Sequence, residues 1–188
     1  LFEKNLSKMQ RYLNDNDIAL RAHTKMHKCP EIAKRQIAAG ARGVCAAKVS
    51  EAEIMSDAGI RDILITSPVV TAEKISRVVA LIGTNDDVKV VVDNLESAIR
   101  FDQAAKAQGV TLKVFVDIDP GMGRTGIEAG EPVLHLVQAI DQQCPSLKFC
   151  GLQMYAGNCM HIEGFEKRQK KYQSVMSKGE LTRDLFAS

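Results

Sequence analysis

Short apolar runs alternate with segments of helical periodicity along the whole chain. The apolar runs predict six strands, at 18–23, 43–47, 63–66, 88–92, 112–118 and 147–155. The helical segments lie at 1–14, 30–39, 50–59, 71–82, 95–108, 131–141 and 162–176. The connections are short and carry no hairpin signal, so this alternation predicts a parallel sheet, either a closed barrel or an open doubly wound sheet.

Several local signals mark where the predicted helices begin and end. Pro30 opens the second helix and Gly40 follows its last turn, the places where proline and glycine are favoured. Asn94 is placed to cap the helix that begins with residue 95. The Ser-Glu-Ala-Glu stretch has the form of a capping box, so it predicts Ser50 as an N-cap with Glu53 reaching back to it.

The choice between barrel and open sheet depends on where the unusual polar residues lie. No Gly-x-Gly-x-x-Gly follows the first strand, which removes the main support for a nucleotide-binding open sheet. Polar residues instead follow strands one, five and six, and an eight-stranded barrel gathers such strand ends at one mouth. We therefore predict an α/β fold, a TIM (β/α)8-type barrel that is incomplete here, with about six β-α units. Both ends of the chain look cut, so residues 1–188 are expected to form a partial barrel domain.

The composition excludes several classes of protein but does not indicate which reaction this one performs. The chain has 188 residues, 45% hydrophobic and 26% charged, as expected for one globular domain. The net charge of +2 is spread along the sequence, and we expect no nucleic-acid partner. No stretch is apolar for long enough to span a membrane, and no secretory signal opens the chain, so we expect no membrane partner. Five cysteines without paired spacing indicate reduced thiols and a cytoplasmic location.

The first candidate site lies where strand one runs into a helix, in the sequence Arg-Ala-His-Thr-Lys-Met-His-Lys-Cys-Pro. In an extended chain, Arg21, His23 and Lys25 would share one face. Three such groups are costly in a dry core but suit an anionic ligand. A lysine crowded by cations loses its proton more easily, and its neutral amine can form a Schiff base with an aldehyde.

Two other interpretations of this segment remain open. A basic strand end wetted by solvent explains the residues equally well on this segment alone. His23, His27 and Cys29 could also be drawn as a metal cluster, although their spacing matches no established zinc pattern. We predict no metal ligands within this chain.

The second and third candidates follow strands five and six. Arg124 lies in the glycine-rich turn Gly-Met-Gly-Arg-Thr-Gly, where it is suited to a phosphate, a carboxylate or a phenolate; the alternative is an ion pair with Asp117 or Asp119. Gln153 and Tyr155 share a strand face, with the Tyr155 ring near the mouth, where it can support a cofactor. The alternative is a buried tyrosine.

His161, soon after strand six, is available as a proton acceptor near neutral pH. Taken alone it fits a surface histidine at a helix start better.

These motifs together resemble the fold-type III pyridoxal-phosphate enzymes, whose barrel is shared with alanine racemase. The strings Arg-Ala-His-Thr-Lys-Met-His-Lys, Lys-Val-Ser-Glu-Ala-Glu and Gly-Leu-Gln-Met-Tyr-Ala-Gly are most similar to the D-threonine aldolase and D-serine dehydratase branch, with the aldolase closer. The resemblance covers nearly the whole chain. It departs from the family pattern at Ala22, where members usually have proline, and at Pro120, which is unexpected.

The resemblance also implies roles for individual residues. Lys25 corresponds to the Schiff-base lysine, and Arg124 to the arginine that hydrogen-bonds the phenolate oxygen of pyridoxal 5'-phosphate (PLP). Tyr155 falls where the family packs a ring near the pyridine, and His161 where aldolases have their base. His23 and Gln153 complete the expected cofactor-binding set.

The activity implied for the parent protein is PLP-dependent retro-aldol cleavage of D-threonine, or a related D-3-hydroxy amino acid, to glycine and an aldehyde. The resemblance further implies a divalent metal bound through a C-terminal β domain, phosphate-binding loops after strands seven and eight, and a possible homodimer. The β domain and the last strands are missing from this chain, so we do not expect it to be active alone. The alternatives are a D-serine dehydratase and a non-catalytic PLP carrier barrel.

Overall fold

The computed structural model describes residues 1–187 and has the predicted alternation of strands and helices. The strands are β1 Arg21–His23, β2 Gly43–Ala46, β3 Ile63–Ile65, β4 Val88–Val92, β5 Leu112–Ile118 and β6 Leu147–Met154. The helices are α1 Phe2–Asn14, α2 Pro30–Ala38, α3 Val49–Asp57, α4 Ala72–Thr84, α5 Leu95–Gln108, α6 Glu131–Gln143 and α7 Phe165–Asp184. Two short 3₁₀ helices, Thr24–Met26 and Gly157–Cys159, follow β1 and β6.

The six strands form one parallel sheet in the order β1-β2-β3-β4-β5-β6. A doubly wound sheet reverses its strand order at a switch point, whereas this order never reverses. The fold is therefore α/β and barrel-like, as predicted. Each β-α unit returns the chain to the next strand position, so all strand ends that precede a helix face the same mouth.

The outer face of the sheet is apolar and packs against the helices. Val44, Ile63, Val90 and Val114 lie on this face and are completely buried, each contributing about 1.5–3 kcal/mol through burial. They belong to the hydrophobic core that includes Phe101 of α5. The core therefore lies between sheet and helices, and the inner face is left for polar groups.

A network of charged side chains crosses the inner face at the end opposite the mouth. Asp62 accepts hydrogen bonds from Arg21 and Lys89, each at 2.8 Å. Asp87 accepts from Lys89 and from Lys113, also at 2.8 Å each. Lys89 is the single charged residue of β4, and these carboxylates explain how it is buried at 6% exposure.

The predicted capping box at Ser50 is wrong. Helix α3 begins at Val49 with Lys48 at the N-cap and no side-chain cap bond. The carboxylate of Glu51 instead accepts the Ala47 N–H at 2.9 Å. Glu53, the expected partner of Ser50, accepts from Arg77 of the neighbouring helix at 2.9 Å, because an opposite charge on α4 competes successfully for it.

The remaining differences concern element lengths. β1 is three residues long instead of six, and α7 extends to Asp184 rather than ending near Met176. Within residues 1–187, no helix is at once long enough and apolar enough to cross a membrane.

Candidate active site

Lys25 lies in a tight turn at the mouth rather than on the strand. The extended segment ends at His23, so strand alternation does not reach Lys25; a 3₁₀ helix from Thr24 to Met26 carries it instead. The hydroxyl of buried Thr24 donates to the Cys45 carbonyl at 2.9 Å and anchors this turn to β2. Lys25 nevertheless lines the same cavity as Arg21 and His23, as the sequence predicts.

The cavity has a volume of about 320 Å³ and brings together most of the predicted site. Five of the predicted residues line it, and they come from three separate parts of the chain: His23, Lys25, Arg124, Gln153 and Tyr155. Sequence reasoning missed Cys45, Thr66 and Ser67, which also line it. His161 is not among the lining residues; it is exposed and lies between the second 3₁₀ helix and α7.

The ring of Tyr155 connects two of the cationic groups. Lys25 Nζ lies 5.6 Å from the ring centroid, and the guanidinium carbon of Arg124 lies 5.4 Å from it. Both distances are within cation–π range. Tyr155 is 43% exposed, so the alternative of a buried tyrosine is wrong. The ring therefore lies within cation–π range of two cations at the mouth, and neither cation forms a salt bridge among the described residues.

Hydrogen bonds fix the tautomer and orientation of His23. The Lys25 backbone N–H donates to His23 Nδ1 at 3.3 Å. The Thr66 hydroxyl donates to the Ala46 carbonyl, so its oxygen accepts from His23 Nε2 at 3.2 Å. Burial, together with the nearby Lys25 charge, lowers the pKa of His23. His23 is therefore a neutral imidazole with both nitrogens engaged, which suits it to orienting Lys25.

Carboxylates hold the glycine-rich loop around Arg124 from several sides. Asp119 accepts backbone N–H bonds from Gly121 and Met122 at 2.9 and 2.7 Å. Asp117 accepts from the Thr125 hydroxyl at 3.0 Å. Because both carboxylates serve these donors, neither forms the ion pair with Arg124 that the sequence left open, and no salt bridge to Arg124 is found within the described chain.

Gly126 closes this loop by a backbone approach that a side chain would prevent. Its φ is +98°, and a Cβ would lie 2.4 Å from the Asp119 nitrogen. The Gly126 N–H donates to Asp93 at 3.1 Å. The glycine is therefore required for the loop geometry that presents Arg124.

Neither the cysteine in the cavity nor the suggested metal cluster contributes a reactive group to the site. Burial raises the pKa of the Cys45 thiol to about 11, so it stays protonated in the cavity. The metal cluster of His23, His27 and Cys29 does not form, because no three acidic, histidine or cysteine side chains converge on one point in residues 1–187. His27 Nδ1 instead accepts the Cys29 N–H at 3.0 Å.

Comparison with known proteins finds relatives that are named as amino-acid aldolases. A D-threonine aldolase from Arthrobacter sp is 41% identical over 167 residues, covering 89% of this chain and 44% of that protein. A 3-hydroxy-D-aspartate aldolase from Paracoccus denitrificans (strain Pd 1222) is 37% identical over 176 residues, covering 93% of this chain and 45% of that protein.

A solved structure agrees with these sequence comparisons. The crystal structure of D-threonine aldolase from Filomicrobium marinum superposes with a TM-score of 0.93 at 38% identity, covering 98% of this chain and 50% of that chain. The chain thus spans about half the length of the relatives it matches. Since residues 1–183 match the family described as alanine racemase, N-terminal domain, the chain belongs to that family.

Proposed function

We propose that the protein is a PLP-dependent lyase that cleaves D-threonine, or a related D-3-hydroxy amino acid, into glycine and an aldehyde. The observation that carries this proposal is the position of two cationic groups beside the Tyr155 ring. Lys25 Nζ lies 5.6 Å and the Arg124 guanidinium carbon 5.4 Å from the ring centroid. All three residues line a cavity of about 320 Å³. That volume is at the lower end of small-molecule sites. The two relatives described above, at 41% and 37% identity, are named as aldolases.

The side chains of the cavity fit PLP by their chemistry. Lys25 offers an amine for the aldehyde carbon, and Arg124 offers guanidinium donors that no carboxylate of residues 1–187 occupies in a salt bridge. Tyr155 offers an aromatic face to a flat ring. When bound, PLP supplies the electron sink that accepts the electron pair of the breaking Cα–Cβ bond.

The protein's own residues then have distinct tasks. Lys25 would hold the cofactor through its amine, and Arg124 would donate hydrogen bonds to an oxygen of the cofactor. His23 orients the Lys25 turn through the bond to the Lys25 N–H. His161 is the proposed base that takes the proton from the 3-hydroxyl of the substrate. His23 is less suited to this task because both of its nitrogens are already bonded.

Several properties of the whole protein belong to the same proposal. We propose that a divalent metal binds near the substrate 3-hydroxyl through ligands outside the described residues. We also propose that the protein acts as a homodimer on a small D-amino acid. Five cysteines without a disulfide among them agree with a cytoplasmic location.

The products distinguish the aldolase from the other two candidates. With the whole protein, D-threonine should give glycine and acetaldehyde in equal amounts. A dehydratase would instead release ammonia and an α-keto acid, and ammonia with pyruvate from D-serine would exclude the aldolase. A non-catalytic carrier would bind PLP and release neither set of products.

The cofactor site is tested by an absorbance titration with PLP followed by borohydride reduction. We expect a long-wavelength band, and mass spectrometry of peptides should find the reduced cofactor on Lys25. The Lys25→Ala variant should lack both signals. Lys28→Ala is the matched control, because Lys28 is three residues away, does not line the cavity and is 64% exposed. A Lys25→Ala variant that has a native circular dichroism spectrum and still gives the band would overturn the assignment.

A further inference from the structure

A bulge in the sheet decides which residue of β6 lies opposite Asp117. Val114 pairs with Phe149, but the next residue, Phe115, pairs with Gly151, so β6 has one extra residue at this point. Without that residue Asp117 would lie opposite Leu152; with it, Asp117 lies opposite Gln153. A one-residue change of register reverses the face on which a side chain lies. The bulge therefore places Gln153 on the inner face with Asp117.

The contacts of Gln153 determine how its amide is turned. Gln153 Nε2 lies 2.8 Å from Asp117 Oδ1 and 3.1 Å from the Thr66 carbonyl oxygen. A backbone carbonyl can only accept, so the nitrogen of the amide must face it. Both hydrogens of the NH₂ group are thus used within the protein. The carbonyl oxygen, Oε1, is the polar atom of Gln153 that stays available to a ligand.

The charge of the cavity lining indicates which kind of ligand group would bind to Gln153 Oε1. Arg21, Lys25 and Arg124 are the charged side chains that line the cavity, and no carboxylate lines it within the described chain. Among the residues that the structure describes, Gln153 is the one lining side chain that offers a carbonyl oxygen. Arg21 is paired with Asp62, so a neutral acceptor at Gln153 favours a donor on the ligand while leaving Lys25 and Arg124 free for its anionic groups.

We propose that Gln153 is a ligand-binding residue whose Oε1 accepts a hydrogen bond from the molecule held at Lys25, and that Asp117 is the positioning residue that sets this orientation. The identity of the molecule rests on the proposed function: the donor belongs to PLP or to the amino-acid substrate. Asp117 does not touch the ligand in this proposal; it acts through the Gln153 amide.

Asp117 is suited to this role by its burial and by its second contact. It is 3% exposed, and burial raises the pKa of its carboxyl group even though Gln153 and Thr125 donate to it. Its Oδ1 holds Gln153, and its Oδ2 holds the hydroxyl of Thr125, next to Arg124. The carboxylate of Asp117 therefore fixes two features of the cavity: the Gln153 acceptor on β6 and the loop that carries Arg124.

The orientation can be tested without any cofactor by NMR of the Gln153 side-chain amide. We expect slow hydrogen exchange and two well-separated Nε2 proton signals in the wild type. Asp117→Leu removes the acceptor at similar volume, and it should speed exchange and bring the two signals together. Asp117→Asn keeps an acceptor oxygen and should preserve the protected amide. A fast-exchanging amide in the wild type would overturn the orientation.

The ligand contact is tested by dissociation constants for three probes. PLP is titrated first; D-threonine and then D-alanine, which lacks a 3-hydroxyl, are added to the PLP-loaded protein. Gln153→Met and Asp117→Leu should each weaken at least one of these by roughly 5- to 30-fold, and Asp117→Asn should largely restore it. Met154→Leu is the control, since Met154 lines the same cavity without a polar contact.

The pattern of losses identifies the donor and separates this proposal from the previous one. If the variants bind PLP more weakly, the donor belongs to the cofactor. If they bind only D-threonine more weakly, the donor is the 3-hydroxyl of the substrate. If they bind both amino acids more weakly, the donor is the amino group that the two share. Unchanged constants in Gln153→Met overturn the ligand contact, and a loss in Gln153→Met without one in Asp117→Leu overturns the positioning role. If the wild type does not trap PLP on Lys25, both the proposed function and the ligand contact are overturned. The NMR test of the Gln153 amide needs no cofactor, so its result does not depend on that outcome.

Discussion

Lys25 Nζ lies 5.6 Å from the centre of the Tyr155 ring, although the two residues are 130 positions apart in the chain. The contact joins the turn after β1 to the end of β6, the two outer strands of the sheet. Because these strands are not neighbours, sheet hydrogen bonds do not bring the residues together. The curvature of the six-stranded sheet does, and this curvature is what makes the inner face a cavity.

The first prediction concerns the aromatic face of Tyr155. Replacing Tyr155 by Leu removes the ring that both Lys25 and Arg124 approach, and each such contact is worth about 0.5–1 kcal/mol. We expect PLP to bind about 3- to 10-fold more weakly, measured by absorbance titration. Tyr155→Phe keeps the ring and should bind nearly as the wild type does. Equal weakening in both variants would show that the hydroxyl, not the ring, matters.

The second prediction concerns the loop that presents Arg124. Gly126→Ala should displace this loop, because a Cβ would lie 2.4 Å from the Asp119 nitrogen. We expect a loss of about 1–3 kcal/mol in the free energy of unfolding and weaker PLP binding. Gly123→Ala is the matched control: Gly123 also has a positive φ, +63°, but nothing lies within 4 Å of the position that its Cβ would take.

The two loop variants are compared by urea unfolding and by PLP titration. Gly123→Ala should cost less stability than Gly126→Ala and should leave PLP affinity closer to that of the wild type. If the two variants have equal effects, the positive φ alone is responsible, and the close approach to Asp119 has no separate role.

The third prediction tests His161 as the base. His161 is exposed and does not line the cavity, so this role requires the segment around Gly157–Cys159 to bring it to the substrate. Measured in the whole protein rather than in this chain alone, His161→Gln should slow D-threonine cleavage by roughly 10²–10⁴-fold, the usual contribution of a general base. Borohydride trapping of PLP on Lys25 should be unchanged. Cleavage at the wild-type rate would assign the proton transfer to another group.

The sequence predicts the fold and the position of most candidate site residues because both depend on regular features. In a parallel α/β fold every strand enters its helix at the same mouth, so unusual polar residues after β1, β5 and β6 are expected to meet. Lys25, Arg124 and Tyr155 do meet there. These positions could be inferred without knowing the register of any strand pair.

The details that the sequence does not predict depend on register and on contacts between elements. Gln153 could be placed on the face of Tyr155, but its partner Asp117 depends on the bulge next to Gly151. A glycine inside a strand is a signal for a bulge, but it does not fix the register of the strand pair. Thr66 bonds to His23 because strand pairing places the two residues close together on the sheet, which the sequence around Thr66 does not indicate. The capping box at Ser50 is wrong for a similar reason, since Arg77 on another helix binds the expected glutamate.

The last prediction concerns stability in acid and the network opposite the mouth. Burial opposes ionisation of Asp87, but the hydrogen bonds from Lys113 and Lys89 outweigh it and lower the pKa of Asp87 to about 2, from an ordinary value of 3.8. The unfolded chain therefore binds this proton more readily. The stabilisation is complete above about pH 4 and is lost as the pH falls towards 2.

Replacing Asp87 by Asn should remove this part of the acid dependence. At pH 7 the variant leaves Lys89 and Lys113 with one partner fewer, and we expect a loss of about 1–3 kcal/mol in the free energy of unfolding. Between pH 4 and pH 2 the stability of the variant should fall less steeply than that of the wild type, measured by urea unfolding at fixed pH. Asp86→Asn is the matched control, because Asp86 is 79% exposed and its pair with Arg61 lies in solvent. An acid dependence in Asp87→Asn as steep as that of the wild type would mean that other carboxylates, such as Asp62, account for it.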